Sequence, residues 1–279
     1  MNDIVLHLIL YVLSGASVGF LAGLLGVGGG ILVVPILVLL LPGVGVPPQH
    51  LMHVAVATSL AVIVGTSLSS IYAHNKRGGI LWERVKQLLP GLILGAVIGA
   101  SVVDLLPSDA LRIFFGVFMF VMAFNITFDG SFIKMKDMPS THKLWGYGTF
   151  IATCATLLGV GGGSLTVPFL SSRKVPIRNA VATSAVCGFP IALVGSIGMI
   201  IAGSNESGLP PHTLGYIFLP AFIGIVIPSI FMAPLGAKIA HKLPTKILRM
   251  IFAVFLILVG ADMLNKSFVS GWNWIMMHV

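Results

Sequence analysis

Charge is what this sequence has least of. Only 9% of its 279 residues are Asp, Glu, Lys or Arg, and just eight are acidic, against about 25% charged in an ordinary soluble domain. Sixteen basic and eight acidic side chains cannot cover a soluble body of this size, which excludes a soluble globular enzyme. Cysteine is scarce too. Cys154 and Cys187 cannot build a disulfide scaffold, and both lie in apolar runs where a small side chain lets helices approach. No ionisable residue stands in the middle of an apolar stretch, which disfavours a proton pump or cation carrier built on an intramembrane carboxylate. A Walker loop, a catalytic triad and a His-rich metal helix are also missing, so neither an ATP-driven step nor a metal or other cofactor is expected.

What the sequence does have is apolar length. Hydrophobic residues make up 57% of the chain and the mean hydropathy is +1.04, the composition of a bundle that faces lipid outside and protein inside. The fold class is therefore all-α, a polytopic membrane protein. A net charge of +8 would suggest nucleic acid in a soluble protein; here no nucleic-acid partner is expected, and the positive residues mark topology instead. Met1-Asn2-Asp3 carries no base, so a cleaved signal peptide is not expected.

The chain repeats itself. Residues 24–37 read LLGVGGGILVVPIL and residues 157–170 read LLGVGGGSLTVPFL, 11 identities in 14 positions. Ala55-Val56-Ala57-Thr58-Ser59 matches Ala180-Val181-Ala182-Thr183-Ser184, and Leu89-Pro90 matches Leu219-Pro220. This is an internal duplication: a first transmembrane repeat over 1–130, a cytoplasmic linker over 131–143 and a second repeat over 144–279, joined as one transport domain. Each repeat holds about five apolar segments. They run over 4–24, 31–41, 54–73, 88–104 and 110–128, then 144–158, 164–172, 178–203, 214–235 and 247–265. A bilayer core of roughly 30 Å needs about 20 helical residues, so the second segment of each repeat cannot cross as a lone straight helix. Before it stand Gly26, Gly28, Gly29 and Gly30 in one copy and Gly159, Gly161, Gly162 and Gly163 in the other. Four glycines in five residues favour a glycine-broken helix or a re-entrant pair.

Topology follows from the basic loops. If each broken pair were one crossing, the basic loops at 171–178 and 235–249 would face outward. If the chain instead reverses at each glycine motif, 14 of the 16 basic residues are cytoplasmic, leaving Arg112 and Lys266 outside. Each half then makes an odd number of traversals, the repeats are inverted, and both termini are extracytoplasmic. Arg112 and Arg249 occupy matching places at the starts of the fifth segments, where they attract anions or snorkel.

Inverted repeats around discontinuous helices characterise secondary transporters, with the substrate near the midplane. At a glycine break the first N–H groups of the next half-helix lack intrahelical partners, and lipid cannot supply them. Two such ends facing each other offer donors and positive dipole ends to an anion. The expected substrate-binding residues are Gly28, Gly29, Gly30, Thr58, Ser59, Gly161, Gly162, Gly163, Thr183 and Ser184, the hydroxyls donating without charge; their alternative role is to bond their own helix. Gly26, Pro35, Gly159 and Pro168 are the expected helix-break and gating positions, since proline removes a helical hydrogen bond. GVGGG is not read as a dinucleotide loop, because no soluble strand and no acidic partner accompany it. His50 and His53 lack a third ligand and are read as bland outer-loop residues.

The paired motif Leu25-Gly26-Val27-Gly28-Gly29-Gly30 to Pro35 and Leu158-Gly159-Val160-Gly161-Gly162-Gly163 to Pro168, with the Ala-Thr-Ser triplets at Thr58 and Thr183, resembles the TauE/SafE family, the sulfite exporter or 4-toluenesulfonate uptake permeases. The resemblance spans nearly the whole chain. It implies a multi-pass carrier of the prokaryotic cytoplasmic (inner) membrane for sulfite, sulfoacetate or another organosulfonate anion. The expectation is an alternating-access transporter, not an enzyme, that exports its anion. Its partners are the small anionic substrate, the lipid bilayer and, where coupling is used, a proton or other ion. A channel, a carrier of another solute or ion, more remotely an intramembrane enzyme or assembly subunit, and a single chain or a homodimer are all compatible with the sequence.

Overall fold

The structure, a computed structural model, describes residues 2–25, 29–127, 137–240, 250 and 252–265. It is helical almost throughout. In the first half, α1 (Asn2–Leu25) leads to the short α2 (Gly30–Leu40), then α3 (Leu51–Lys76), α4 (Trp82–Leu105) and α5 (Ser108–Thr127). The second half repeats the order with α6 (Thr141–Leu157), the short α7 (Gly163–Ser172), α8 (Ile177–Ala202), α9 (Leu219–Ala240) and α10 (Phe252–Asn265). Among the described residues, the helices over 48–76, 82–105, 108–127, 177–205 and 219–236 are long and apolar enough to cross a membrane. Leu105, Phe150, Ile201 and Phe231 point outward, each at least two-thirds exposed. A surface of that kind is stable against acyl chains and not against water.

The glycine motifs are real breaks, and each short helix follows one. α2 has 11 residues and α7 has 10, roughly 15 Å of helix at about 1.5 Å per residue. At the second motif α6 ends in a Schellman turn: Gly159 takes φ +63 and Val160 N–H donates to Ala155 O at 2.9 Å. Gly162 caps α7 at φ +70, a backbone state costing a non-glycine residue about 1–2 kcal/mol. Gly26 and Gly28 lie outside the described residues. Beyond each break the chain turns back along the helix it has just left. Gly43, past the end of α2, sits against the His7 imidazole near the start of α1, and Arg173, past the end of α7, donates to Asp137 O just ahead of α6 at 2.9 Å.

The halves interlock. α1 packs against α9, and α4 against α6, so the first helix of each half lies on the fourth helix of the other. Small residues make this possible. Gly15 and Gly19 of α1 abut the backbone of Ile225 and Ser229 in α9, while Gly91 and Gly95 of α4 abut that of Trp145 and Thr149 in α6. The glycines over 91–99 thus pack helices within one chain. α3 and α8 meet at the centre and run antiparallel. The end of α3 lies by the start of α8, where Asn179 donates to Gly79 O at 3.0 Å, and the start of α3 lies by the end of α8, where His50 faces Glu206 at 3.6 Å.

The expected apolar segment from 214 does not begin as helix. Thr213–Leu214 and Ile217–Phe218 form a two-stranded antiparallel hairpin, and α9 starts only at Leu219. Positive φ at His212 and Gly215 ends helical propagation, and Phe218 N–H is captured by Thr58 Oγ1 at 3.0 Å. Leu89-Pro90 consequently lies two turns inside α4, whereas Leu219-Pro220 opens α9.

Candidate functional site: a cavity below the glycine breaks

The two breaks touch. A Cβ on Gly30 would stand 2.9 Å from both Gly159 O and Val160 Cα, and Gly188 abuts Gly161 O. Ser59 Oγ donates to Gly159 O at 2.7 Å and is 3.5 Å from Gly30 O, tying the first half's α3 to the second half's break. Directly beneath lies a cavity of about 540 Å³. Gly29, Gly161, Gly163 and Ile63 line its inner end, and along α3 it extends from Ile63 to Arg77, some 21 Å at about 1.5 Å per residue. On the other side of the break α3 is packed solid: every residue from Met52 to Val62 is buried.

The lining suits an anion. Thr66, Ser67, Ser69, Ser70, Ser184 and Ser229 supply hydroxyls, and His74, Arg77 and Lys238 stand toward the open end. None of the described lining residues is Asp or Glu. Thr66 Oγ1 donates to Val62 O at 3.2 Å and Ser67 Oγ to Val64 O at 3.0 Å. Each hydroxyl has one proton, so a ligand acceptor entering the cavity would compete for it with a helix carbonyl. α7 begins at Gly163 on the cavity wall, where the first helical N–H groups and the dipole's positive end favour negative charge.

The expected site residues divide into two groups. Gly29, Gly161, Gly163 and Ser184 line the cavity; Gly30 and Gly162 are buried beside it. Thr58, Ser59 and Thr183 are turned into the protein. Thr58 Oγ1 accepts from Phe218 N–H at 3.0 Å and Thr183 Oγ1 from Leu81 N–H at 3.0 Å, so each caps the entry to the other half's fourth helix. Ser184 Oγ also donates to Val181 O at 2.9 Å within its own helix. Pro35 and Pro168 sit at the sixth position of α2 and α7. Arg112 is buried near the opposite end, paired with Asp109 at 3.2 Å and away from the cavity; Arg249 lies outside the described residues. Sequence reasoning overlooked the hydroxyl run Thr66-Ser67-Leu68-Ser69-Ser70, whose signal was polarity inside an apolar helix.

Comparisons with known proteins agree with this architecture. The model of the family described as "Sulfite exporter TauE/SafE" matches residues 11–263. A probable membrane transporter protein of Haemophilus influenzae is 38% identical over 264 residues, covering 93% of this chain and 98% of that protein. A probable membrane transporter protein of Methanocaldococcus jannaschii is 31% identical, covering 94% and 97%, and one from Bacillus subtilis is 27% identical, covering 94% and 99%. No solved structure matches. With the family model spanning nearly the whole chain and two such relatives above 30% identity, the chain belongs to the TauE/SafE family of membrane transporters.

Proposed function

We propose that this protein carries a small sulfur-containing oxyanion, sulfite, sulfoacetate or another organosulfonate, across the prokaryotic cytoplasmic membrane by alternating access, as an exporter and not an enzyme. The observation that carries this reading is the cavity below the paired glycine breaks, with hydroxyls at depth, cations toward its open end and no lining carboxylate. Gly29, Gly161, Gly163 and Ser184 hold the anion at its inner end, with Gly30 beside them; Gly28, expected there too, lies outside the described residues. Thr58, Ser59 and Thr183 support those backbones. Antiparallel α3 and α8, and the exchange of first and fourth helices, support inverted repeats.

The open end is the cytoplasmic one. Arg77, Arg84, Lys143, Arg173, Arg178 and Lys238 belong to the ends of α3, α4, α6, α7, α8 and α9 that gather there, as the positive-inside rule requires, and both termini are then extracytoplasmic. A cysteine replacing Asn75 reacts from the cytoplasmic side and one replacing Asn205 from outside; reaction of the second from inside alone overturns this orientation. A potential negative inside drives an anion outward by about 2.3 kcal/mol per charge per 100 mV, so export needs no coupling ion, although a proton can accompany sulfite because sulfite titrates near neutrality.

The test is flux of labelled sulfite in proteoliposomes at a set membrane potential, with sulfoacetate, taurine, sulfate and chloride as competitors. Saturable flux competed by sulfonates is expected. Non-saturating flux without counterflow makes the protein a channel, and absence of flux for every anion removes the substrate class.

A further inference from the structure

The end of the molecule opposite the cavity holds a long connection whose side chains turn inward. Between α8 and α9 the chain runs over 203–218, a connecting loop that buries three consecutive large side chains: Tyr216, Ile217 and Phe218 are 2%, 4% and 5% exposed. Gly215, at φ +55, presses on the backbone of Ile200, and Tyr216 N–H donates to Met199 O at 3.3 Å, which turns the segment inward. The Phe218 ring meets Tyr11 of α1 edge-on at 6.2 Å, and Phe218 N–H reaches Thr58 of α3. The Tyr216 ring lies 5.2 Å from His53 and 6.0 Å from His50, while its hydroxyl donates to Asp104 Oδ1 of α4 at 3.4 Å. His50 Nε2 and Glu206 Oε2, at 3.6 Å, tie the same loop to the turn before α3. Burial, then the Glu206 and Asp104 carboxylates, push the Tyr216 phenol above its ordinary range, so it remains a donor.

We propose that residues 203–218 form the outer gate of the carrier: a plug, seated by Tyr216–Phe218 and latched by the Tyr216–Asp104 and His50–Glu206 contacts, that withdraws to open the outward path. This inference rests on the alternating-access reading above. Between the plug and the cavity lie only the touching glycine breaks and one short buried stretch of α3. Phe218 is held at Thr58 and the cavity begins at Ile63, five residues or about 8 Å along α3 at about 1.5 Å per residue. The latch is suited to reversible opening, because its polar contacts can be exchanged for water at the outer surface, whereas the apolar core of α3 cannot. Its contacts also come from α1, α3, α4 and α8, elements of both halves, so relative movement of the halves pulls on it directly.

The test uses the full-length protein in proteoliposomes, with Cys154 and Cys187 replaced by Ala. In one arm, a single cysteine at Ile217 is exposed to a membrane-impermeant maleimide from the outer side. Tyr216→Phe, which keeps the ring and loses the latch hydroxyl, and Asp104→Ala, which removes its acceptor, are expected to raise its labelling rate about three- to tenfold, the range one lost hydrogen bond gives. In the other arm, His50→Cys with Glu206→Cys is bridged by a short thiol cross-linker; bridging is expected to stop flux, and cleavage of the linker to restore it. Unchanged labelling in both variants, or full flux through the bridged protein, overturns the gate. The labelling arm needs no transported anion. Faster labelling in a protein that moves none of the tested anions therefore keeps the gate and rejects the substrate class, while full saturable flux through the bridged protein does the reverse.

Discussion

Two connections occupy equivalent places and do opposite things. The link from α3 to α4 spans five residues, Arg77 to Leu81, and its last N–H is capped by Thr183. The link from α8 to α9 spans sixteen, Gly203 to Phe218, and its last N–H is capped by Thr58. Both deliver the chain into the fourth helix of their half through the same hydrogen bond. The short link leaves the cavity open beside Arg77; the long one folds back and plugs the other end. The charges differ in the same way, with Arg77 and Lys238 at the open end and Asp104 and Glu206 at the closed one. A duplicated scaffold thus supplies two routes, and what fills each connection makes them unequal.

Several changes sharpen or break this comparison. The largest effect belongs to the scaffold shared by both ends. Gly159→Ala places a Cβ at positive φ, 3.0 Å from Val56 Cα; the left-handed strain alone costs about 1–2 kcal/mol. Loss of flux and a lowered melting temperature in detergent are expected, while Gly146→Ala, whose Cβ would meet nothing within 4 Å, melts as the parent does. Next come the caps. Thr58→Val and Thr183→Val each leave a backbone N–H without its acceptor, at about 1–3 kcal/mol, seen as earlier thermal unfolding. If the plug depends on its anchor, Thr58→Val also speeds labelling at position 217 from outside and Thr183→Val does not. Equal labelling in the two variants would make the connections functionally alike.

The charge difference is tested by Arg77→Gln with Lys238→Gln. Half-saturation for loading from the cytoplasmic side should rise about three- to tenfold, and flux should lose much of its salt sensitivity, since exposed charges act through a screened field. The smallest effect is expected from Ser184→Ala, a loss of about threefold or less in affinity, because one hydroxyl among several is removed. A larger loss would place the anion closer to α8 than to α3.

Much of this was legible in the sequence, and what was not has a physical reason. Ten apolar segments, two of them too short to cross alone, and a break at each glycine motif follow from periods and composition, because helix length and glycine content act locally. Thr58 and Thr183 stand out in the sequence by their recurrence, yet their hydroxyls hold backbone N–H groups of the opposite half. Hydrogen-bond partners more than 100 residues away are set by tertiary packing, which spacing does not encode. Recurrence also hid the cavity. Thr66-Ser67-Leu68-Ser69-Ser70 corresponds to Ile191-Ala192-Leu193-Val194-Gly195 in the second copy, so a search for what the copies share passes over the hydroxyls that line one route. The plug was hidden similarly: residues 214–218 are apolar enough to extend α9, and only the positive φ at Gly215 and the cap from Thr58 show that they turn inward instead.

The exchange of helices between halves has a consequence for how the protein is made. The partner of α1 is α9, which begins about 190 residues after α1 ends. At roughly 5–20 residues per second, a ribosome delivers α9 some 10–40 seconds later. Throughout that interval the flattened glycine face of α1, Gly15 and Gly19, has lipid or an insertion factor for company instead of Ile225 and Ser229. Biogenesis therefore has an obligatory waiting step at its first helix, and a chain that stops before α9 leaves that face permanently unmatched.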